Sequence, residues 1–318
     1  MTDQNADYPV ELFPVDITPY KSGNVGVEYV TTLDSGNPGR HVLITAVTHG
    51  NELCGAIALD YLFKNDVRPL SGKLTLAFSN HEAYNIFDAD DPDASRFVDE
   101  DMNRTWGIDV LEGDRNTVET VRARQLRPII EQADVLLDLH SMQHPTSALM
   151  ICGPLAKGRQ FARDLATPAY IVSDRGHAAG TRMRDYGGFG DPDSHKNALL
   201  LEAGQHWEKS SAAVTIDTTL RFLKHHGCVE KDWLEDDQLP LPEKQTLIEV
   251  TIPVTIETEE FRFAERFTGF ECLEKAGTLI GWDGDDEVRT PWDDCILIMP
   301  SQRLYKGQTA VRLGRKVD

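Results

Sequence analysis

Three short apolar runs constrain the fold of this chain most strongly. Residues 42–47, 135–140 and 197–204 are rich in Val, Ile and Leu and short enough to read as buried strands. Each carries a polar residue of metal-binding or acid–base type at or just past its carboxyl end: His49, His140 and Glu202. Helical patterns separate the runs, over residues 53–63, 117–132 and 158–165. The second of these shows Val121, Leu126, Ile129 and Ile130 as an apolar face. Further strands are expected at 25–33, 73–79, 148–152 and 169–172. Strands alternating with helices imply a mostly parallel α/β sheet with helices on both faces. Ligands bind such sheets at the carboxyl ends of strands, so three separate strands would deliver His49, His140 and Glu202 to one edge.

The first of these edges has a local pattern of its own. His49-Gly50-Asn51-Glu52 follows the first apolar run and precedes a helix. Gly50 is expected to permit the tight turn, which lets His49 and Glu52 face one spot. With His140 they form two imidazoles and a carboxylate, the donor set of an open, catalytic zinc site. Cobalt or manganese also suits such donors. A carboxylate beside a metal-activated water can take its proton and pass it to a leaving amine. Glu202, acidic within an apolar run where unpaired burial is costly, is the candidate; its alternative is a structural partner for an arginine.

Composition narrows the remaining functions. The chain has 318 residues and a formal net charge of −20, which repels nucleic acid and anionic lipid. No stretch approaches the roughly 20 apolar residues of a membrane helix, and the N-terminus shows no signal-peptide pattern. Five widely spaced cysteines contain no Cys-x-x-Cys pair, which argues against a disulfide framework and a thiolate metal site. These features predict a cytoplasmic protein with no nucleic-acid or membrane partner; its oligomeric state, homo-oligomer or not, is open. Cys54, beside the His-Gly-Asn-Glu turn, is expected to pack in the core.

Against so acidic a background, arginines near the site stand out. Arg96 and Arg104 are the only Lys or Arg residues between Lys73 and Arg115, in a long Asp-rich loop over residues 88–104. One guanidinium can stabilise an oxyanion and another can clamp a carboxylate, with Asn103 as a neutral donor. A second irregular stretch spans 176–197. His144 and His206 are placed near the site; His41, His81, His177 and His195 carry no signal. Ser210 and Ser211 are expected to cap a helix running to His226. Composition changes at Glu230, which divides the chain into an α/β domain over 1–229, an acidic linker over 230–243 and a β domain over 244–318, where short alternating runs are punctuated by Gly and Pro.

His49-Gly50-Asn51-Glu52, Asp101-Met102-Asn103-Arg104, Asp138-Leu139-His140 and Glu202-Ala203-Gly204 resemble, in order and spacing, the motifs of the aspartoacylase and succinylglutamate desuccinylase family, within the zinc carboxypeptidase (M14-like) superfamily. The likeness covers about residues 40–210. It implies a zinc-carboxypeptidase-like mixed sheet flanked by helices, with a smaller all-β C-terminal domain. It implies one zinc ion per chain on His49, Glu52 and His140, with Glu202 as general base and acid. It also implies Arg96 polarising the scissile carbonyl, Asn103 and Arg104 on a substrate carboxylate, and Asp101 in support. The family's Tyr and Arg clamp before the catalytic glutamate has no clear counterpart; Arg182, Arg184 and Tyr186 are the candidates, and Tyr305 is the candidate for a tyrosine from the C-terminal domain. The resulting expectation is a metal-dependent hydrolase, a deacylase of small N-acyl amino acids. The alternatives are an M14-type carboxypeptidase acting on peptides and a non-catalytic metabolite-binding protein.

Overall fold

The computed structural model describes residues 8–176 and 179–317. His177 and the first seven residues, part of the signal-peptide reading, lie outside these. Along the chain come β1 (Val30–Asp34), β2 (His41–Ala46), α1 (Leu53–Lys64), β3 (Lys73–Phe78), the short α2 (His81–Asn85) and α3 (Ile108–Leu111), α4 (Val118–Gln132) and β4 (Val135–Met142). Then follow β5 (Leu149–Ile151), α5 (Ala156–Asp164), β6 (Tyr170–Ser173), β7 (Asn197–Gln205) and α6 (Lys209–His225). The C-terminal region holds β8 (Thr246–Thr255), β9 (Phe261–Phe263), β10 (Cys272–Leu273), β11 (Leu279–Asp283), β12 (Asp286–Arg289), β13 (Cys295–Ile298) and β14 (Thr309–Val317). No helix of the described residues is long and apolar enough to cross a membrane.

Eleven strands form one mixed sheet in the order β1-β3-β2-β4-β7-β5-β6-β8-β14-β13-β10, and β12-β11-β9 form a second. The centre, β3-β2-β4-β7, is parallel, as the alternation of strands and helices requires. β1 and β5 run against their neighbours β3 and β7. The central strands are buried on both faces, which explains their continuous rather than alternating apolar pattern. Val42, Ile44 and Ala46 of β2 pack on one side with Leu59 of α1, Phe161 of α5 and Leu220 of α6. Leu43 and Leu136 pack on the other with Leu126 and Ile130 of α4, Trp106 and Met183. β8 pairs in parallel with β6, so the C-terminal strands are hydrogen-bonded onto the sheet of the α/β region. Within residues 230–243, Trp233 and Leu234 pack against the larger core, and Arg221 of α6 donates to the Leu239 carbonyl.

Several local expectations are corrected. The first strand begins at Val30 rather than Val25, because residues 23–29 form turns with Gly23, Gly26 and Tyr29 at positive φ. Val121 is 40% exposed; the buried stripe of α4 instead includes Glu119, Arg122 and Ala123. Ser210 and Ser211 lie inside the first turn of α6, whose N-cap is Glu208 without a side-chain cap. The Ser211 hydroxyl donates back to the Glu208 carbonyl instead.

Candidate active site

The turn after β2 is tight for a reason the sequence did not reveal. A Cβ on Gly50 would lie 2.3 Å from the Ala83 carbonyl carbon and 2.4 Å from the Ser95 oxygen. Gly50 is needed for close backbone approach and not for a positive φ. Val47 takes the positive φ instead, at 52°, a strained conformation for a β-branched residue of the kind that gathers at functional sites. Beyond it, His49 and Glu52 are 4% and 1% exposed. His49 Nδ1 lies 2.7 Å from Glu52 Oε1. From β4, His140 Nδ1 lies 2.9 Å from Glu52 Oε2. One ligand atom from each of the three residues falls within 4.8 Å of the others.

A second layer fixes these side chains. Asp138 Oδ2 is 2.8 Å from His140 Nε2, and Asp138 Oδ1 accepts from the Thr45 and Thr48 hydroxyls. This orients the His140 ring with Nδ1 towards Glu52, the carboxylate–histidine arrangement common behind metal ligands. Asp101 Oδ1 lies 2.9 Å from His49 Nε2. Burial alone would raise the Glu52 carboxyl, but the two imidazoles outweigh it and hold its pKa well below the usual range. Burial would likewise lower His140, but Asp138 and Glu52 raise it well above an ordinary histidine. A carboxylate between two imidazoles is a donor set that a divalent cation fits.

Glu202 sits on β7 directly opposite His140 in the parallel ladder. It is 6% exposed and its Oε2 has no hydrogen-bond partner among the described residues. Burial, reinforced by the Glu52 charge, pushes its pKa up to about 8 against the pull of His140, Arg96 and Arg312.

The Asp-rich loop brings Arg96 to the same place. Its guanidinium is 3.3 Å from Glu52 Oε1, 3.1 Å from Asp101 Oδ2 and 2.8 Å from His49 Nε2. Arg104 lies 3.8 Å from Asp101 and donates to the Asn103 carbonyl. Asn103 Oδ1 accepts from Met183 N, so this amide ties the loop to the segment before β7. Arg182 forks onto Asp174 at 2.7 and 3.0 Å and reaches Asp185 through Nε.

A cavity of about 360 Å³ is lined by His49, Glu52, His140, Glu202, Arg96, Asn103, Arg104 and Arg182. His144, His206 and Tyr305 also line it. Arg184 and Tyr186 do not: Arg184 is buried against Gly153 on the Cys152 carbonyl and Asp185, and Tyr186 donates to Glu131. Cys54 is fully buried, its thiol pushed up to about 11 by burial, as suits a core residue. The sequence reading missed Arg303 and Arg312, which the C-terminal strands and loops add to the wall. Arg303 pairs with Asp93 at 2.8 Å, and Arg312 lies 3.7 Å from Asp174. Arg312 had a readable signal, a charge inside the apolar run of β14; Arg303 had none.

The fold is shared with solved proteins of low sequence identity. The succinylglutamate desuccinylase from Vibrio cholerae matches with a TM-score of 0.67 and 15% identity over 92% of this chain and 86% of that one. A succinylglutamate desuccinylase/aspartoacylase from Rhodobacter sphaeroides gives 0.63 and 18% over 92% and 90%. The product-bound ectoine utilization protein EutE (DoeB) from Ruegeria pomeroyi gives 0.62 and 16% over 91% and 89%. No curated protein matches the chain. The family model for the succinylglutamate desuccinylase/aspartoacylase catalytic domain matches residues 38–226, a span that contains the His49–Glu52 turn, the Arg96–Arg104 loop, His140 and Glu202. With more than half of its length inside that match, the chain belongs to the succinylglutamate desuccinylase/aspartoacylase family.

Proposed function

We propose that the protein is a zinc-dependent amidohydrolase that splits a small N-acyl amino acid into a carboxylate and a free amino acid. The observation that carries this reading is the meeting, in one cavity, of the His49–Glu52–His140 cluster with the unpartnered Oε2 of Glu202. His49, Glu52 and His140 would hold the metal. Zinc, when bound, supplies Lewis acidity and a lowered pKa for water. Glu202 Oε2 takes the proton of the attacking water and returns it to the leaving nitrogen; a pKa near 8 suits both transfers. Arg96, in the lining of the same cavity as Glu202, stabilises the negative oxygen that develops on the acyl carbon. Arg104 and Asn103 hold a substrate carboxylate, and Arg182 adds a guanidinium already oriented by Asp174 and Asp185. Arg184 serves this group indirectly, by holding Asp185.

A cavity of about 360 Å³, walled on one side by Arg303, Tyr305 and Arg312 of the C-terminal region, favours a small substrate over a peptide. A binding protein without turnover would have no use for a buried glutamate with an unpartnered carboxylate oxygen on the strand position opposite His140. The test is amine release from a panel of N-acyl amino acids, including N-acetylaspartate, N-succinylglutamate and neutral members, with and without chelator. Chelator-sensitive release is expected. Silence in zinc-loaded protein would refute the small-substrate reading in favour of peptides, and failure to take up zinc would refute the metalloenzyme.

A further inference from the structure

A buried histidine outside the metal cluster is unused by the reaction as derived above. His206 lies just after β7, four residues past Glu202, and is 1% exposed. Its Nδ1 is 2.8 Å from the hydroxyl of Ser141, and its Nε2 has no hydrogen-bond partner among the described residues. The ring lines both the active-site cavity and a second one whose wall includes Tyr8, Asp90, Asp91 and Trp207. A buried imidazole nitrogen without a partner is costly, and native proteins leave few of them.

The tautomer follows from Ser141. Its hydroxyl is itself buried and must place its proton on an acceptor. His206 Nδ1 is the strong acceptor within reach, the Cys54 sulfur beside it being a weak one. With Nδ1 accepting, the ring proton is on Nε2, the opposite edge of the ring from Ser141. Burial keeps the ring neutral, pushing its pKa down to about 3. The Glu52 carboxylate is the strongest charge acting on the ring, and Arg96 and Arg303 follow with the opposite sign; these two guanidiniums line the same cavity as the ring and offer an anionic oxygen there a positive partner.

We propose that His206 is a substrate-binding residue whose Nε2–H donates a hydrogen bond to an oxygen of the acyl half of the substrate, the half released as a carboxylate. This rests on the amidohydrolase reading for the identity of the substrate, but the contact can be measured by itself. Ser141 is then a positioning residue, which sets the tautomer through Nδ1.

The experiment uses the zinc-loaded protein and two variants, His206→Phe, which keeps a ring without the donor, and His206→Gln, whose amide N–H falls near the position of Nε2. Metal content and thermal midpoint are measured first for each. Binding of free carboxylates, acetate and succinate, is then measured by calorimetry, and KM and kcat with the best substrate of the panel. The expected result is about tenfold weaker carboxylate binding and about tenfold lower kcat/KM in His206→Phe, with metal content unchanged and His206→Gln within about threefold of the parent. Ring nitrogen resonances of His206 should report an Nε2–H tautomer whose signal shifts when carboxylate binds. Unchanged carboxylate affinity in His206→Phe would overturn the proposal, and so would loss of metal in both variants, which would mark His206 as a structural support of the cluster. Carboxylate binding that weakens in His206→Phe without turnover of any amide would sustain the contact and refute the amidohydrolase. Turnover that is unaffected by either variant would do the reverse.

Discussion

Glu119 provides a demanding test of how the active-site loop is held. It is the second residue of α4 and is fully buried. Its Oε1 accepts from Val98 N at 2.7 Å and from the Asn80 amide at 3.0 Å. Its Oε2 accepts from Asp99 N at 3.1 Å and Glu100 N at 3.2 Å. One carboxylate therefore gathers three consecutive backbone N–H groups of the loop that carries Arg96, Asp101 and Arg104. In Glu119→Gln the amide oxygen can serve one pair of these donors, while the NH2 group confronts the other pair. Two charge-assisted hydrogen bonds are lost, at about 1.5 kcal/mol or more each, so stability should fall by about 3 kcal/mol. Displacement of Arg96 and Asp101 by about 1 Å should lower kcat/KM on the order of a hundredfold. Urea unfolding measures the first quantity and steady-state kinetics the second. Amide hydrogen exchange should speed up at Val98, Asp99 and Glu100 while Leu126 and Ile130 in the buried part of α4 stay protected. A stability change under about 1 kcal/mol, with exchange at those three amides unaltered, would refute the assignment of Glu119 as the loop's anchor.

Three further outcomes are expected. Asp138→Asn should weaken zinc affinity about tenfold to a hundredfold in a chelator competition, because it removes the carboxylate that orients His140; unchanged affinity would show that Thr45 and Thr48 hold an idle group. Glu202→Gln should keep the metal and lose on the order of a hundredfold or more of turnover, so a near-normal kcat would exclude it as the proton carrier. His226, packed edge-on against Phe161 and Phe222, has its pKa pushed down to about 3, first by burial and then by His225. The unfolded chain takes up this proton near pH 6.5 and the folded chain only far below, so the stabilisation is complete above that pH and lost as pH falls. Between pH 7.5 and pH 5 it amounts to about 2 kcal/mol, and His226→Gln should lose less stability on acidification by about that amount in urea titrations at the two values.

How much of this was legible in the sequence depended on whether the signal was local. The strands β2, β4 and β7 were readable because a strand buried on both faces has a continuous apolar run, and a His or Glu at its end is conspicuous there. The same logic applied to Arg312, whose neighbours Ala310, Val311 and Leu313 are all buried. It was passed over because nothing local says that β14 follows β8 into the same sheet as Glu202; that relation exists only once β6 pairs with β8. Arg303 sits in a loop without periodicity and becomes a wall residue only by pairing with Asp93, 210 positions away. Glu119 and Val121 show the opposite error. Apolar periodicity predicted Val121 inward, yet Val121 is exposed and Glu119 is buried in its stead, because the N–H groups of Val98, Asp99 and Glu100 form a polar surface over the first turn of α4 that a carboxylate satisfies and a valine could not. Gly50 misleads in a third way: the turn was legible, but its cause is the backbone of Ala83 and Ser95 pressing on it from elements distant in sequence. The metal-type residues, and Asp101, Asp138, Arg96 and Arg104 beside them, lie in short motifs, whereas Arg303 and Arg312 join the cavity only through contacts between segments far apart in the chain. Those distant contacts complete the wall of the cavity, which is why its donor set was more legible than its full lining.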